Sequence, residues 1–299
     1  MAQTAQTAQT LAPVSPTLAS REFSFTAADF ARIRDLIYRR VGISLSDRKS
    51  EMVYSRLARR LRVVNLGSFR EYLDALEHGH LPDEWEAFTN ALTTNLTAFF
   101  REQHHFPLLA EHAKAKRTPF TVWCSASSTG EEPYSIAITL AETFGSMNPG
   151  QVSVIASDVD TNALARARAG IYPMERVAAL SSDRLKKYFL RGTGKQEGYA
   201  RVRPELQAMI DFRQINLLDR DWPLQQKFDV IFCRNVMIYF DKPTQAKILE
   251  HFIDVMKPDG LLFAGHSESF LQVTKAWSLR GKTVYEIAPE LRAKMTGAK

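Results

Sequence analysis

Residues 120–144 read FTVWCSASSTGEEPYSIAITLAETF, and this stretch decides the fold of the 299-residue chain. Phe120, Val122 and Trp123 are aromatic or β-branched and predict a short buried strand. A run of small residues follows as far as Gly130, and apolar side chains then recur every four positions, as in a helix. A strand, a turn of small residues and a helix N-terminus are together typical of a nucleotide-binding α/β unit.

The glycine pattern of this turn is sparse. A dinucleotide-binding turn has three glycines in the pattern G-x-G-x-x-G, and only Gly130 is present here. Thr129 and Glu132 have the spacing of a capping box, which gives Glu132 a purely structural role. The turn alone therefore leaves an ordinary packed α/β unit and a nucleoside site equally open.

The next predicted strand favours the nucleoside site. Residues 152–157 are mostly apolar, and Asp158 and Asp160 follow directly, before a predicted helix. Asp160 is explained as the N-cap of that helix, whereas Asp158 has no such local role. An acidic residue at the end of the second strand binds ribose hydroxyls in such folds. We therefore predict Asp158 as a ribose ligand.

Five segments of the chain resemble the signature segments of the CheR-type chemotaxis methyltransferases. These enzymes transfer a methyl group from S-adenosylmethionine (SAM) to glutamate side chains of chemoreceptors. The segments occur in the order of the family, and the resemblance covers the chain from about residue 25 to residue 287. They are NALTTNLTAFFRE (90–102), ASSTGEEPYSIAITL (126–140), ASDVDTNALARARAGIY (156–172), VIFCRNVMIYFDKPTQ (230–245) and GLLFAGHSES (260–269).

The resemblance implies a set of site residues for SAM and its product S-adenosylhomocysteine. The cofactor-binding residues are Asn95, Thr97, Arg101, Glu131, Asp158, Asn216, Leu217, Arg234 and Asn235. The residues implied at the reacting centre are Arg101 and Tyr239. Several of these residues follow predicted strands, where an α/β sheet binds its ligands.

Methyl transfer to a carboxylate needs no general base, because a glutamate is already ionised near neutral pH. Arg101 would hold the incoming carboxylate, and the hydroxyl of Tyr239 would donate a hydrogen bond near the methyl group. Tyr239 can also be explained as a core aromatic whose hydroxyl is satisfied. The histidines and cysteines show no metal-ligand spacing, and no metal is expected.

The positive charge of the chain is concentrated near its N-terminus. Residues 21–70 hold twelve basic and five acidic side chains, whereas the remainder is close to neutral. Arg56, Arg59, Arg60 and Arg62 lie on a predicted helix, away from its apolar stripe. They predict a docking surface for an acidic partner, here the glutamate-rich helices of a chemoreceptor, although a solvated helix face gives the same pattern.

The predicted fold is α/β. A disordered tail (1–20) and a small all-α basic domain (21–110) precede a SAM-methyltransferase domain (111–299) with a doubly wound, Rossmann-like sheet. A small antiparallel β-subdomain is inserted at about residues 175–205, and in some CheR-type enzymes it binds a receptor tail peptide.

The sequence has two cysteines without a disulfide pattern, no apolar run of membrane-spanning length and no signal sequence. We therefore expect a cytoplasmic protein that does not enter the membrane, and a monomer.

Two other functions are compatible with parts of the sequence. A SAM-dependent nucleic-acid methyltransferase would use the basic domain on phosphates, but no D/N-P-P-Y/F segment follows the apolar strand predicted at residues 227–233, and nucleic acid is not an expected partner. A SAM-binding sensor without catalysis is disfavoured because Arg101 and Tyr239 are both present.

Overall fold

The computed structural model describes residues 21–116 and 118–297, so the predicted tail lies outside the described residues. The N-terminal part is all-helical, as predicted. Thr26 and Asp29 form a complete capping box at the start of its first helix. Its helices are α1 (Ala27–Val41), α2 (Ser50–Val64), α3 (Phe69–Glu77) and α4 (Glu84–Leu92).

The rest of the described chain alternates strands with helices. The strands are β1 (Phe120–Cys124), β2 (Val152–Asp158), β3 (Ile171–Pro173), β4 (Phe189–Arg191), β5 (Tyr199–Val202), β6 (Ile210–Gln214), β7 (Phe228–Cys233), β8 (Met256–Ala264), β9 (Trp277–Gly281) and β10 (Val284–Ile287). The helices are α5 (His105–Lys114), α6 (Glu131–Phe144), α7 (Thr161–Ala169), α8 (Met174–Val177), α9 (Ser182–Tyr188), α10 (Pro204–Gln207), α11 (Lys242–Val255) and α12 (Pro289–Thr296). None of the helices in the described part of the chain has both the length and the apolar character needed to cross a membrane.

The large sheet has the order β6-β2-β1-β7-β8-β10-β9. Its first five strands are parallel, and β10 runs antiparallel to both of its neighbours. Phe120 pairs with Val152, and Asp158 pairs with Gln214. The carboxyl ends of these parallel strands therefore lie together at one edge of the sheet. The predicted doubly wound sheet is confirmed, and β10 and β9 extend it beyond the five parallel strands.

A second sheet confirms the predicted antiparallel subdomain. Its order is β3-β5-β4, and both pairings are antiparallel. The strand β3 lies before the predicted start of the subdomain at about residue 175. Since β3 is only three residues long and ends in Pro173, it leaves almost no strand pattern in the sequence.

The two domains have separate hydrophobic cores, and the packing changes between Leu92 and Phe99. Leu92 belongs to the helical core, whereas Phe99 and Phe106 belong to the core around the large sheet. Helix α5 therefore packs with the sheet, although its first residues fall within the predicted N-terminal domain (21–110). Residues 93–98 connect the two cores and lie beside the carboxyl edge of the sheet. They are called the interdomain segment below.

Candidate active site

A cavity of about 490 Å³ lies between the N-terminal domain and the carboxyl edge of the large sheet. Ser44, Lys49 and Met52 line it on the side of the helical domain. Its volume is in the range typical of small-molecule sites. Every predicted cofactor or catalytic residue except Glu131 is among the lining residues: Asn95, Thr97, Arg101, Asp158, Asn216, Leu217, Arg234, Asn235 and Tyr239.

Asp158 ends β2 and lies in the wall of this cavity. Its carboxylate accepts hydrogen bonds from the backbone N–H of Ser128 at 2.7 Å and of Asp160 at 3.0 Å. Burial raises the pKa of Asp158 to about 6. A carboxylate has about four acceptor positions, so two remain for a ligand.

Asn95 joins the interdomain segment to the turns that follow β1 and β2. Its Nδ2 donates to Asp160 at 2.7 Å, and its Oδ1 accepts from the Ser128 hydroxyl at 3.1 Å. The Thr93 hydroxyl donates to the same Asp160 carboxylate at 2.5 Å. Asp160 also accepts from the backbone N–H of Ala163, which confirms its predicted role as the N-cap of α7.

The predicted capping box at the start of α6 is wrong. The N-cap is Gly130, whose φ is +100°, and it makes no side-chain cap hydrogen bond. A Cβ on Gly130 would lie 2.7 Å from the Tyr172 hydroxyl and 2.9 Å from Ala167, so close packing against the next βα unit requires glycine there. Glu132 is among the residues that line the cavity, and its carboxylate accepts from Arg234 Nε at 2.6 Å.

Glu131 is fully buried beside the cavity wall but does not line it. Its carboxylate accepts from the Thr129 hydroxyl at 2.7 Å and pairs with Arg176. Arg176 also donates to the Thr97 carbonyl at 3.0 Å. Glu131 thus fastens the interdomain segment through Arg176, and direct contact between Glu131 and the cofactor stays a prediction.

Arg234 follows β7, and protein atoms occupy all three nitrogens of its guanidinium. Nε donates to Glu132 at 2.6 Å, one terminal nitrogen to His105 Nδ1 at 2.8 Å, and the other to the Arg101 carbonyl at 2.7 Å. The Arg234 side chain is only 1% exposed, so its guanidinium shapes the cavity wall and leaves little room for contact between its N–H groups and the cofactor. That contact stays a prediction.

Arg101 and Tyr239 both line the cavity. Both side chains are partly exposed. The guanidinium of Arg101 donates to the Leu96 carbonyl at 2.8 Å, and the backbone carbonyl of Tyr239 accepts from the Ser44 N–H at 2.8 Å. The hydroxyl of Tyr239 makes no hydrogen bond within the described residues, so the interpretation as a core aromatic with a satisfied hydroxyl is not favoured.

Glu268 organises the loop after β7, and the sequence did not reveal this role. Its buried carboxylate accepts from the backbone N–H of Gly265 at 2.6 Å, and of Asn235 and Met237 at 2.8 Å each. Burial raises the pKa of Glu268, although these amides oppose the shift. A Cβ on Gly265 would lie 2.5 Å from Asn235 Nδ2. His266 in the same segment is exposed, whereas the buried Glu268 supports the loop.

Comparisons with known proteins agree with this geometry. The family model "CheR methyltransferase, SAM binding domain" matches residues 95–285, and "CheR methyltransferase, all-alpha domain" matches residues 28–93. This chain belongs to the CheR methyltransferase family.

Relatives in three bacteria match nearly the whole chain. The identity is 54% to the chemotaxis protein methyltransferase of Salmonella typhimurium, over 91% of this chain and 94% of that protein. It is 52% to chemotaxis protein methyltransferase 2 of Pseudomonas aeruginosa, over 92% and 98%. It is 53% to the chemotaxis protein methyltransferase of Escherichia coli, over 91% and 94%.

SAM is the cofactor of this CheR-family enzyme, and the residues present fit it. Asp158 offers free acceptor positions beside the turn after β1. Asn216 and Leu217 follow β6 on the same edge. The amide of Asn216 donates to the Arg40 carbonyl at 3.0 Å and so joins the end of α1 to the cavity.

Two of the four predicted docking arginines have structural roles in the CheR-family helical domain. Arg60 forms a two-pronged ion pair with the buried Glu84, at 2.6 and 2.8 Å, and the Tyr72 hydroxyl donates to the same carboxylate. Arg56 donates to the backbone carbonyls of Ala91 at 3.2 Å and of Thr93. Both side chains hold α4 against α2.

Arg59 and Arg62 are exposed. Arg62 pairs with Glu22 at 2.5 Å, an exposed pair that contributes little stability. Arg59 makes no ion pair among residues 21–116 and 118–297. On α2 it lies on the same helical face as Met52, which lines the cavity. A docking role for the four arginines stays a prediction, and Arg59 is the member best placed for it.

Proposed function

We propose that this CheR-family enzyme transfers the methyl group of SAM to glutamate carboxylates of chemoreceptors and forms glutamate methyl esters. The observation that supports this reaction is the placement of Arg101, Tyr239 and Asp158 in one cavity. A cation and a hydroxyl then face the position of the reacting groups, next to the predicted ribose ligand. This arrangement suits an anionic substrate that is already a nucleophile.

When bound, SAM supplies a methyl group on a positively charged sulfur. The residues of the chain then have positioning tasks. Asp158 accepts hydrogen bonds from the ribose, and Asn95 and Thr97 close the cavity on the interdomain side. Arg101 holds the substrate carboxylate, and Tyr239 donates a hydrogen bond near the methyl group. Alignment and exclusion of water provide the rate enhancement.

The substrate helix of the receptor docks on α2. Met52 on α2 lines the cavity, and the exposed Arg59 lies two turns further along the same face of the helix. Exposed positive charge there attracts a helix rich in glutamate and increases the association rate. Because Arg60 and Arg56 are bound within the domain, their contribution is to hold α2 and α4 in place.

A receptor tail peptide is a second partner, at the small sheet. Ile171, Leu190 and Tyr199 are each about 40% exposed on this sheet. Its outer strands β3 and β4 are open to pairing with an extended peptide. Calorimetric titration with receptor C-terminal peptides tests this partner, with Leu190→Asp as the variant expected to lose binding. Equal binding by the variant would count against the small sheet.

Labelling with tritiated SAM tests the reaction itself. Membranes that contain chemoreceptors are expected to take up label that mild alkali releases as methanol, because methyl esters are alkali-labile. Membranes without receptors, and RNA with nuclease controls, serve as comparisons. Label that resists alkali, or that appears in RNA, would exclude a glutamate methyl ester as the product.

A further inference from the structure

His105 lies fully buried behind the cavity wall, between Arg234 and the turn that joins β9 to β10. Its Nδ1 is 2.8 Å from a terminal nitrogen of Arg234, and its Nε2 is 3.0 Å from the Lys282 carbonyl. A guanidinium can only donate, so Nδ1 must be the acceptor and Nε2 must carry the proton. Burial, assisted by the charge of Arg234, lowers the pKa of His105 to about 4, in keeping with a neutral ring.

The segment that presents Arg101 has an unfavourable backbone conformation. Phe100 and Glu102, on either side of Arg101, have φ values of +54° and +55°. Non-glycine residues adopt this region only where surrounding contacts hold them there. Two such contacts exist: the Phe100 N–H donates to Ser135 Oγ at 2.9 Å, and Arg234 donates to the Arg101 carbonyl at 2.7 Å.

A competing acceptor lies next to the Arg234 guanidinium. Glu102 Oε2 is 3.8 Å from the Arg234 nitrogen that donates to His105. This oxygen is buried and makes no hydrogen bond within the described residues. Without the Nδ1 acceptor, the guanidinium is free to turn toward Glu102, which would draw its other terminal nitrogen from the Arg101 carbonyl.

We infer that His105 is a positioning residue for methyl transfer: its Nδ1 fixes the guanidinium of Arg234, which holds the peptide of Arg101 and directs that side chain into the cavity. The inference rests on the proposed role of Arg101 at the reacting centre. His105 itself does not line the cavity, so it acts only through Arg234.

Two variants separate the two hydrogen bonds of the ring. His105→Asn places a carbonyl oxygen near the position of Nδ1 and does not reach Lys282. His105→Gln places an amide nitrogen near the position of Nε2 and leaves Arg234 without its acceptor. Loss of a charge-assisted hydrogen bond that aligns a reacting group predicts a fall in kcat of about tenfold or more for His105→Gln. The KM for SAM should change by less than about threefold, and His105→Asn should keep most of its kcat.

Hydrogen–deuterium exchange in the presence of S-adenosylhomocysteine gives a readout that needs no substrate. The backbone amides of residues 99–103 should exchange faster in His105→Gln than in His105→Asn, while those of β5 stay unchanged. Arg234→Lys should reproduce the faster exchange and replaces His105→Gln if that variant does not fold.

The inference is overturned if His105→Asn loses as much kcat as His105→Gln, if kcat merely follows the melting temperature, or if amides 99–103 stay protected in Arg234→Lys. If the wild-type enzyme labels no receptor glutamate, the proposed function fails, and the exchange experiment still decides the role of His105.

Discussion

The affinity for SAM should depend on pH through Asp158. This carboxylate ends β2 in the cavity wall, and burial raises its pKa to about 6. Only the ionised form can accept hydrogen bonds from both ribose hydroxyls on its remaining lone pairs. Since the pKa is raised, the ionised form predominates above pH 6 and is lost below it. Cofactor hydroxyls should favour ionisation, so binding should lower this pKa and release a proton.

The magnitude follows from this titration. If only the ionised carboxylate binds, the dissociation constant should rise about tenfold for each pH unit below 6. At pH 6, binding should release about half a proton, because Asp158 is then half-protonated. Asp158→Ala should cost about 1.5–3 kcal/mol at pH 7, which corresponds to a tenfold to more than hundredfold loss of affinity.

Isothermal titration calorimetry between pH 5 and pH 7, in buffers of different ionisation enthalpy, measures both the affinity and the proton release. Asp158→Asn is the matched control, because it keeps a carbonyl acceptor and cannot titrate. Its affinity should be lower than that of the wild type at pH 7 and nearly constant with pH. A wild-type affinity that does not change between pH 5 and pH 7, or a pH dependence that persists in Asp158→Asn, would refute the assignment of Asp158 to the ribose.

Three further predictions concern the docking surface and the reacting centre. Arg59→Glu should slow receptor methylation chiefly by lowering the association rate, and its melting temperature should equal that of the wild type. The wild-type methylation rate should fall with added salt. A wild-type rate that is insensitive to salt would show that Arg59 is only a solvated charge. Arg60→Glu should instead destabilise the helical domain by about 3–5 kcal/mol in denaturant unfolding, because it leaves the buried Glu84 unpaired; a stability equal to that of Arg59→Glu would contradict this. Tyr239→Phe should lower the single-turnover rate and largely keep the affinity for SAM, and Arg101→Ala should lower the rate more. An unchanged rate in Tyr239→Phe would make that tyrosine a packing residue.

The sequence predicted the parts of the fold that local patterns determine. Strands β1, β2 and β7 are buried in the middle of the sheet, and such strands read as continuous apolar runs. The strand β9 was not predicted because it is an edge strand in which only Trp277 is buried and the other residues are partly or fully exposed. The same reasoning located Asp158, because a carboxylate with no local role after a buried strand is visible in the sequence.

Contacts between distant residues were not visible. Glu132 has the spacing of a capping residue, but its actual partner is Arg234, 102 residues away. Arg60 belongs to a cluster of like charges along α2, but it pairs with Glu84 on another helix. A pattern of residue types shows which groups are available, whereas tertiary packing decides which donor meets which acceptor.

The residues of the signature segments fall into two groups, and mutations in the two groups are expected to have different effects. Arg101, Tyr239 and Asp158 present polar groups to the cavity, so they are expected to change affinity or rate directly. Glu268 and Arg234 have their polar atoms occupied by backbone amides, a carbonyl and other side chains, so they act through the loops that they hold. A reaction that needs no general base depends on such loops, because the alignment of the methyl group with a carboxylate oxygen is the main contribution that the protein can make. We therefore expect substitutions of the buried charged residues behind the cavity to lower the rate, as substitutions of the residues that contact the substrate do.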